Sequence, residues 1–517
     1  MALLVNPGLQ LKKSLEDDRE SISKTVTTNK IATDKVSPPP LSFTSNTISE
    51  EKATKTNKIA AILCIAIVMF ALRQCVIHGA SMASFLRETS LGTIFLEVSV
   101  ILMAVALAEL VWRIVLVFMY KPIEGCADEL LPECTVIVPA YNEGKQVFVT
   151  LQSLAASDYP KDKVKLIAVD DGSVDDTWEW IQKAKEVLGD RVITIKQPCN
   201  KGKRHALYAG FQQSIGDVLV TVDSDSTVDA NTLRNLVSPI VVDKKVGAVS
   251  GNVRVLNMDK GMIPKMLDVV FVYSFDFIRA SQSMVKAVMC TPGALSAYRR
   301  NVVMDILNEW LHQKFCGQPA NIGEDRAMTN LILREGYHVL FQQNAKVYTE
   351  VPVKYNNLSK MYLRWARSNV RETIAMTRFI FKPFREGSMV GARINLISGW
   401  IAITKAQILL VITWGLILLH PMTFGVNAIL GVLISSSLAA FIYAWKFGSF
   451  ASLWSFVYGF YFFIALSWIR PYALITPHKA GWLTRQIKSK PEVSVKPAVQ
   501  TLNGKKNLFL NKVKTAA

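Results

Sequence analysis

Asp217-Val-Leu-Val-Thr-Val-Asp-Ser-Asp225 is a run of apolar, largely β-branched residues ended by two carboxylates one residue apart. It reads as a short buried strand. Four runs of the same texture accompany it: Cys134-Thr-Val-Ile-Val138, Val164-Lys-Leu-Ile-Ala-Val169, Arg191-Val-Ile-Thr-Ile195 and Val246-Gly-Ala-Val-Ser250. Helical stretches alternate with them, which predicts an α/β domain with a mostly parallel sheet over 133–352. Ligands of such sheets sit at the carboxyl ends of the strands, where Asp223 and Asp225 fall.

On either side of this domain the texture changes. The 517-residue chain is 50% hydrophobic, only 19% charged, and has a mean hydropathy of +0.24. A soluble protein rarely reaches a positive mean, because its interior cannot hide that much apolar side chain. The composition excludes a disordered chain, a collagen and a small disulfide scaffold. Apolar runs at 58–79 and 92–120 precede the domain, and runs at 394–419, 426–445 and 448–474 follow it. A hydrocarbon core of about 30 Å needs roughly 20 apolar residues, so 58–120 is expected to hold two transmembrane helices and 394–474 transmembrane or re-entrant ones. Glu109 and Arg113, four apart, are placed to neutralise each other on one helical face. Between the domain and the later runs, 353–393 is basic and aromatic, with Arg364, Arg367, Arg371 and Arg378 at helical spacings. That stretch predicts one or two amphipathic helices lying on the membrane surface. Residues 1–57, rich in Ser, Thr, Lys and Pro, are expected to form a disordered tail, and 487–517 a basic one.

The net charge of +18 would suit nucleic acid if it were spread over the α/β domain. It is not. Ten Lys or Arg against two acids lie between 353 and 405, and nine against one from 479 onward, so two juxtamembrane stretches hold 16 of the 18 charges. Positive charge flanking apolar helices orients them and favours anionic lipid. The seven cysteines are scattered without a C-x-x-C pair or zinc-ligand spacing, so free thiols are expected.

Five polar clusters fall at predicted strand ends or loops: Pro139-Ala-Tyr-Asn-Glu143, Asp170-Asp-Gly-Ser173, Asn200-Lys-Gly-Lys-Arg204, Asp223-Ser-Asp225 and Gly323-Glu-Asp-Arg326. Each alone also reads as something plainer: a turn, a solvated loop or a helix cap. Together they supply hydrogen-bond acceptors for a nucleoside, cations for phosphate, hard oxygen ligands for Mg2+ or Mn2+, and a carboxylate base.

In this order, framed by apolar helices, the clusters resemble the processive membrane glycosyltransferases of family 2, most closely hyaluronan synthases, with chitooligosaccharide and chitin synthases nearby. The similarity runs through Thr291-Pro-Gly-Ala-Leu-Ser-Ala-Tyr-Arg-Arg300, Leu363-Arg-Trp365 and Trp482-Leu-Thr-Arg485 and covers about 92–486. It implies a cytosolic catalytic domain of the GT-A type embedded between transmembrane and interfacial helices. In that resemblance Asp171 binds the uracil-ribose end, with Lys203 and Arg204 near the nucleotide. Asp223 holds the nucleotide sugar and Asp225 the metal ion. Asp325 is the base, Glu324 and Arg326 shape the acceptor site, and Trp365 stacks on the acceptor sugar. Arg364 lies by the diphosphate, and Trp482 and Arg485 close a gating loop (475–486) over the donor. Two positions depart from the family pattern: Met361 stands where Gln-x-x-Arg-Trp has glutamine, and Leu483 where the gating loop has glycine.

The implied chemistry is a single in-line displacement. One base opposite a metal-neutralised diphosphate leaving group inverts the anomeric centre. The expected substrates are UDP-sugar donors and a growing polysaccharide acceptor, hyaluronan being the first product to consider. A GlcNAc-only polymer or a mannuronan-type polymer is the alternative within enzymes; a transporter or scaffold is the alternative outside them. Catalytic domain and gating loop must share the cytoplasmic face of the cell membrane, which requires an even number of spans between them. The run at 448–474, holding Arg470 and Pro471, is therefore expected to be surface-lying or re-entrant, leaving four spans.

Overall fold

The computed structural model describes residues 55–479, so the expectations for the N-terminal tail, Trp482, Arg485 and the basic C-terminus lie outside the described residues. Asp217–Asp225 contributes β4 (Val218–Val222) to a sheet with β1 (Cys134–Ala140), β2 (Val164–Asp170) and β3 (Val192–Lys196). These four run parallel. Their inward residues, Val136, Ile137, Ile167 and Leu219 among them, are fully buried under helices on both faces, which is why the runs are apolar without alternation.

Four further strands complete the sheet: β5 (Ser226–Val228), β6 (Val246–Val255), β7 (Leu295–Arg299) and β10 (His338–Thr349). A separate hairpin pairs β8 (Lys314–Phe315) with β9 (Gln318–Pro319). The order is β3-β2-β1-β4-β7-β6-β10-β5. β7 runs against both β4 and β6, β10 is parallel to β6, and β5 is antiparallel to β10. This mostly parallel mixed sheet with flanking helices is the GT-A arrangement. All five expected strands are present. β5, β7 and β10 were not expected, because polar residues interrupt them and only their neighbours hold them extended. The carboxyl ends of β1, β2 and β4 lie side by side, with Ala140 opposite Asp170.

Among the described residues, four helical stretches are long and apolar enough to cross a membrane: Lys58–Arg87, Ser90–Met119, Val390–Leu419 and Pro421–Phe447. One further pair of helices, Phe450–Leu466 and Ile469–Ile475, bends by 47° at its break, as a broken span or a re-entrant loop does. Large apolar side chains such as Ile62, Val76, Leu91, Met103 and Phe118 are exposed along these helices, the pattern of a lipid-facing surface. Arg113 donates to Glu109 at 2.7 Å and to Ser281 Oγ at 3.0 Å, pinning the second helix to the catalytic domain. All seven cysteines are free.

The basic stretch after the domain is one 26-residue helix, Tyr355–Ile380. Two of its four spaced arginines are buried against protein. Arg371 Nη2 donates to the Ile322 carbonyl at 2.7 Å, and Arg367 Nη2 to Thr476 Oγ1 at 3.2 Å, both guanidinium groups being buried. The helix thus bolts the catalytic domain to the last apolar segment.

Candidate active site

An open cleft of about 320 Å³ lies at the carboxyl edge of β1, β2 and β4. Asp171, the residue after β2, lines it, yet both its oxygens are engaged: Oδ1 accepts from Lys201 N at 3.0 Å and Oδ2 from Gly202 N at 2.8 Å. This closure needs Gly172. Its φ is +71°, and a Cβ there would come within 2.6 Å of the Cys199 carbonyl carbon. Burial pushes the Asp171 carboxyl up to about 6, against the pull of the two loop amides. Asp171 therefore holds the 200–202 loop in shape as well as facing the cleft.

That loop delivers Lys203 as the first residue of the helix Lys203–Gln212. Its ammonium binds Asp223 Oδ1 and lies 3.6 Å from Glu324 Oε1. Burial alone would favour the neutral amine, but Asp223, Glu324 and Asp325 together raise its pKa and hold it charged. Arg204 does not join it. It turns the other way, stacks over Trp310 and donates to the Trp310 carbonyl at 2.5 Å and to Gln313 Oε1 at 3.2 Å. The expected place of Arg204 near the nucleotide does not match this orientation, since the next residue of a helix points about 100° away from its predecessor.

Asp223 and Asp225 follow β4 and both line the cleft, as does Glu143 from the loop after β1. Burial, then the charges of Asp223 and Glu143, raise the Asp225 carboxyl to about 7. An Asp225 carboxyl raised in this way beside Asp223 suits a divalent cation, which would relieve the repulsion between them. Among the described residues no group of three or more His, Cys, Asp or Glu could hold a metal ion, so phosphate oxygens and water would complete any coordination. Arg364 and Met361 of the helix Tyr355–Ile380 form part of the opposite wall with Asn357, Glu350 and Pro352.

Asp325 sits beside this cleft rather than in it, in the first turn of the helix Glu324–Arg334. It lines a small adjoining pocket with Gly293, Glu324, Phe211 and Trp310. Its Oδ1 accepts from Arg326 N at 2.7 Å and its Oδ2 from Cys290 Sγ at 3.6 Å. Burial and Glu324 raise its pKa, while Lys203 and Arg364 oppose them. Lys203 bridges the two pockets through Asp223 and Glu324. Glu324 is buried, its carbonyl accepting from Trp310 Nε1 at 2.8 Å. Arg326 reaches Asn369 Oδ1 and Thr373 Oγ1 rather than either pocket. Trp365 is 38% exposed, edge-on to Tyr362 with ring centroids 5.6 Å apart, and outside the lining of the cleft.

Cys290, Glu350 and Asn357 went unassigned in the sequence. Cys290 precedes the Thr291–Arg300 segment by one residue, and Glu350 follows β10, a strand whose polar residues hid it.

Residues 132–368 match the family model described as glycosyltransferase like family 2. An N-acetylglucosaminyltransferase of Rhizobium meliloti (strain 1021) is 30% identical over 411 residues, 77% of this chain and 92% of that one. A hyaluronan synthase of Streptococcus pyogenes is 31% identical over 282 residues, 53% of this chain and 66% of that one. Among solved structures, a mannosyltransferase from Pyrobaculum calidifontis in complex with GDP-Man and Mn2+ is 22% identical with a TM-score of 0.43, covering 65% of this chain and 97% of that one. The extent of the match to the Rhizobium enzyme, spread over both the sheet and the apolar helices, makes this chain a member of glycosyltransferase family 2.

Proposed function

We propose that the chain is a membrane polysaccharide synthase that transfers sugars from UDP-sugars, with inversion, onto a growing β-linked polymer and passes the product outward through its own apolar helices. The observation that carries this reading is the convergence of Asp171, Lys203, Asp223, Asp225 and Arg364 on one cleft, with Asp325 in the pocket next to it.

Asp171 and its loop take the nucleoside end, and Lys203 and Arg364 stand by for the diphosphate. A Mg2+ or Mn2+ ion held by Asp225, with Asp223 beside it, would neutralise charge that develops on the leaving phosphates. Asp325 removes the proton from the acceptor hydroxyl, its raised pKa bringing it toward the working pH. Lys203 keeps the neighbouring Glu324 and Asp223 charges balanced while Asp325 accepts that proton. Trp482 and Arg485 would close over the donor. The catalytic domain faces the cytoplasm, and four spans anchor the chain in the cell membrane.

UDP-GlcNAc is the donor common to the two product classes considered. The longer match to the N-acetylglucosaminyltransferase favours a GlcNAc-only product. Hyaluronan, with UDP-GlcA as second donor, is favoured by the streptococcal synthase. Membranes carrying the chain are incubated with each labelled UDP-sugar alone and then with the pair, and the polymer is digested with chitinase or hyaluronan lyase. Polymer from UDP-GlcNAc alone selects the first product, and polymer only from the pair selects the second. Absence of UDP release with either donor would overturn the UDP-sugar reading.

A further inference from the structure

Two hydroxyls hold the cleft carboxylate assigned to the cation. Thr349, the last residue of β10, donates to Asp225 Oδ1 at 3.1 Å. Ser226, the first residue of β5, donates to the same oxygen at 3.2 Å. Both reach it because β5 pairs antiparallel with β10 and sets Ser226 opposite Thr349. Thr349 is itself fixed, its carbonyl accepting from Leu256 N at 2.9 Å while β10 runs in register with β6 at Val255. Among the described residues both hydrogen bonds to the Asp225 side chain fall on Oδ1, which leaves Oδ2 for a cation in the cleft that Asp225 lines.

The geometry points to Thr349 as a positioning residue: its hydroxyl, with that of Ser226, ties down one oxygen of Asp225 so that the other is presented to a divalent cation and its diphosphate. The role rests on the assignment of Asp225 as the cation ligand. A carboxylate free to rotate must lose that freedom on binding, whereas one already hydrogen-bonded does not. The final strand of the sheet therefore sets cation affinity without touching substrate. Glu350, the residue that follows β10, lines the cleft directly.

The test uses the full chain in detergent micelles, with Mn2+ titrated in the presence of UDP and free Mn2+ followed by electron paramagnetic resonance. Thr349→Val is expected to weaken Mn2+ binding about 10-fold or more, the range seen when a partner of a ligating carboxylate is removed. Thr349→Ser, which keeps the hydroxyl, is expected to bind like the unaltered chain, and Ser226→Ala to shift in the same sense as Thr349→Val. A monodisperse Thr349→Val protein with unchanged Mn2+ affinity overturns the proposal. So does Thr349→Ser falling as far as Thr349→Val, since methyl packing rather than the hydroxyl would then be at work. Should Thr349→Val not fold, an unchanged affinity in Ser226→Ala overturns the shared clamp and a weakened one supports it. Asp225→Asn separates the layers. Full Mn2+ binding in that variant removes the cation assignment itself, whereas its loss beside an unaffected Thr349→Val removes only the positioning role.

Discussion

At Asp325 the proposed chemistry depends on one proton. The carboxylate is held by Arg326 N and Cys290 Sγ, and burial together with Glu324 raises its pKa. Asp325→Asn keeps the size and the Arg326 contact but cannot take the acceptor proton. UDP release with the polymer acceptor present should fall by about 10²–10⁴-fold, the contribution of a positioned base, while UDP binding by calorimetry stays unchanged. Equal loss in both measurements would show that the site had collapsed instead. Asp171 gives a second, separable pH signature. Its native carboxyl titrates near 6 because of burial, above its ordinary value of 3.8. The ionised form accepts from Lys201 N and Gly202 N, so the KM for the UDP-sugar should rise as pH falls through about 6. Stability moves the opposite way: a carboxyl raised on folding stabilises the native state when protonated, and that contribution is lost as pH rises through about 6. An Asp171→Asn variant should lose the KM inflection near 6. Both acids were legible in the sequence because they sit in short motifs at strand ends. The orientation of Arg204 toward Trp310 was not legible, because a motif does not reveal which helix face each residue takes. Cys290 and Thr349 stayed hidden for a related reason, since each matters only through a partner at least 35 positions away.

At the scale of elements, the joint between the catalytic sheet and the apolar helices is a buried polar hub. Asp276 accepts from Arg254 at 2.6 Å and Asn252 at 3.0 Å on β6, from Gln343 at 3.1 Å on β10, and from Lys446 at 3.0 Å in the last turn of the helix Val426–Phe447. Tyr443 of the same helix donates to Asp268 at 2.8 Å. Removing one partner of a buried ion pair leaves an uncompensated charge and costs about 3–5 kcal/mol. Asp276→Leu should therefore lower the thermal midpoint of the purified chain by several degrees, read by intrinsic fluorescence. Replacing Arg254, Asp276 and Lys446 together by apolar residues should recover most of that loss. A single variant as stable as the starting chain would show the hub to be idle. None of this was visible in the sequence, where Lys446 simply follows the apolar run 426–445. The same holds for the helix Tyr355–Ile380. Its arginine spacing read as an amphipathic helix lying on the membrane surface, whereas Arg367 and Arg371 are buried against protein. Periodicity identifies a face without saying what covers it.

Across the whole molecule, the proposed orientation rests on charge. Sixteen of the 18 net charges lie in 353–405 and beyond 478, next to apolar helices. In the proposed topology of four spans and a bent fifth segment, both flanks of the catalytic domain fall on one side. Reporter fusions at residues 50 and 500 should both report the cytoplasm, and a fusion between the spans Val390–Leu419 and Pro421–Phe447 should report the opposite side. Residue 500 on the outside would make the bent segment a fifth span and overturn the topology. By itself, the sequence determined the fold class, the number of long apolar helices and the acidic motifs at the strand ends. Each of these is encoded locally, in hydrophobic period, run length or a few adjacent residues. Only the tertiary structure decided that Lys203 bridges the two pockets, that Arg204 and Arg326 turn away from them, and that Thr349 holds Asp225. Those facts depend on sheet order and helix rotation, which set which distant side chains meet and leave no mark on the residues next to them.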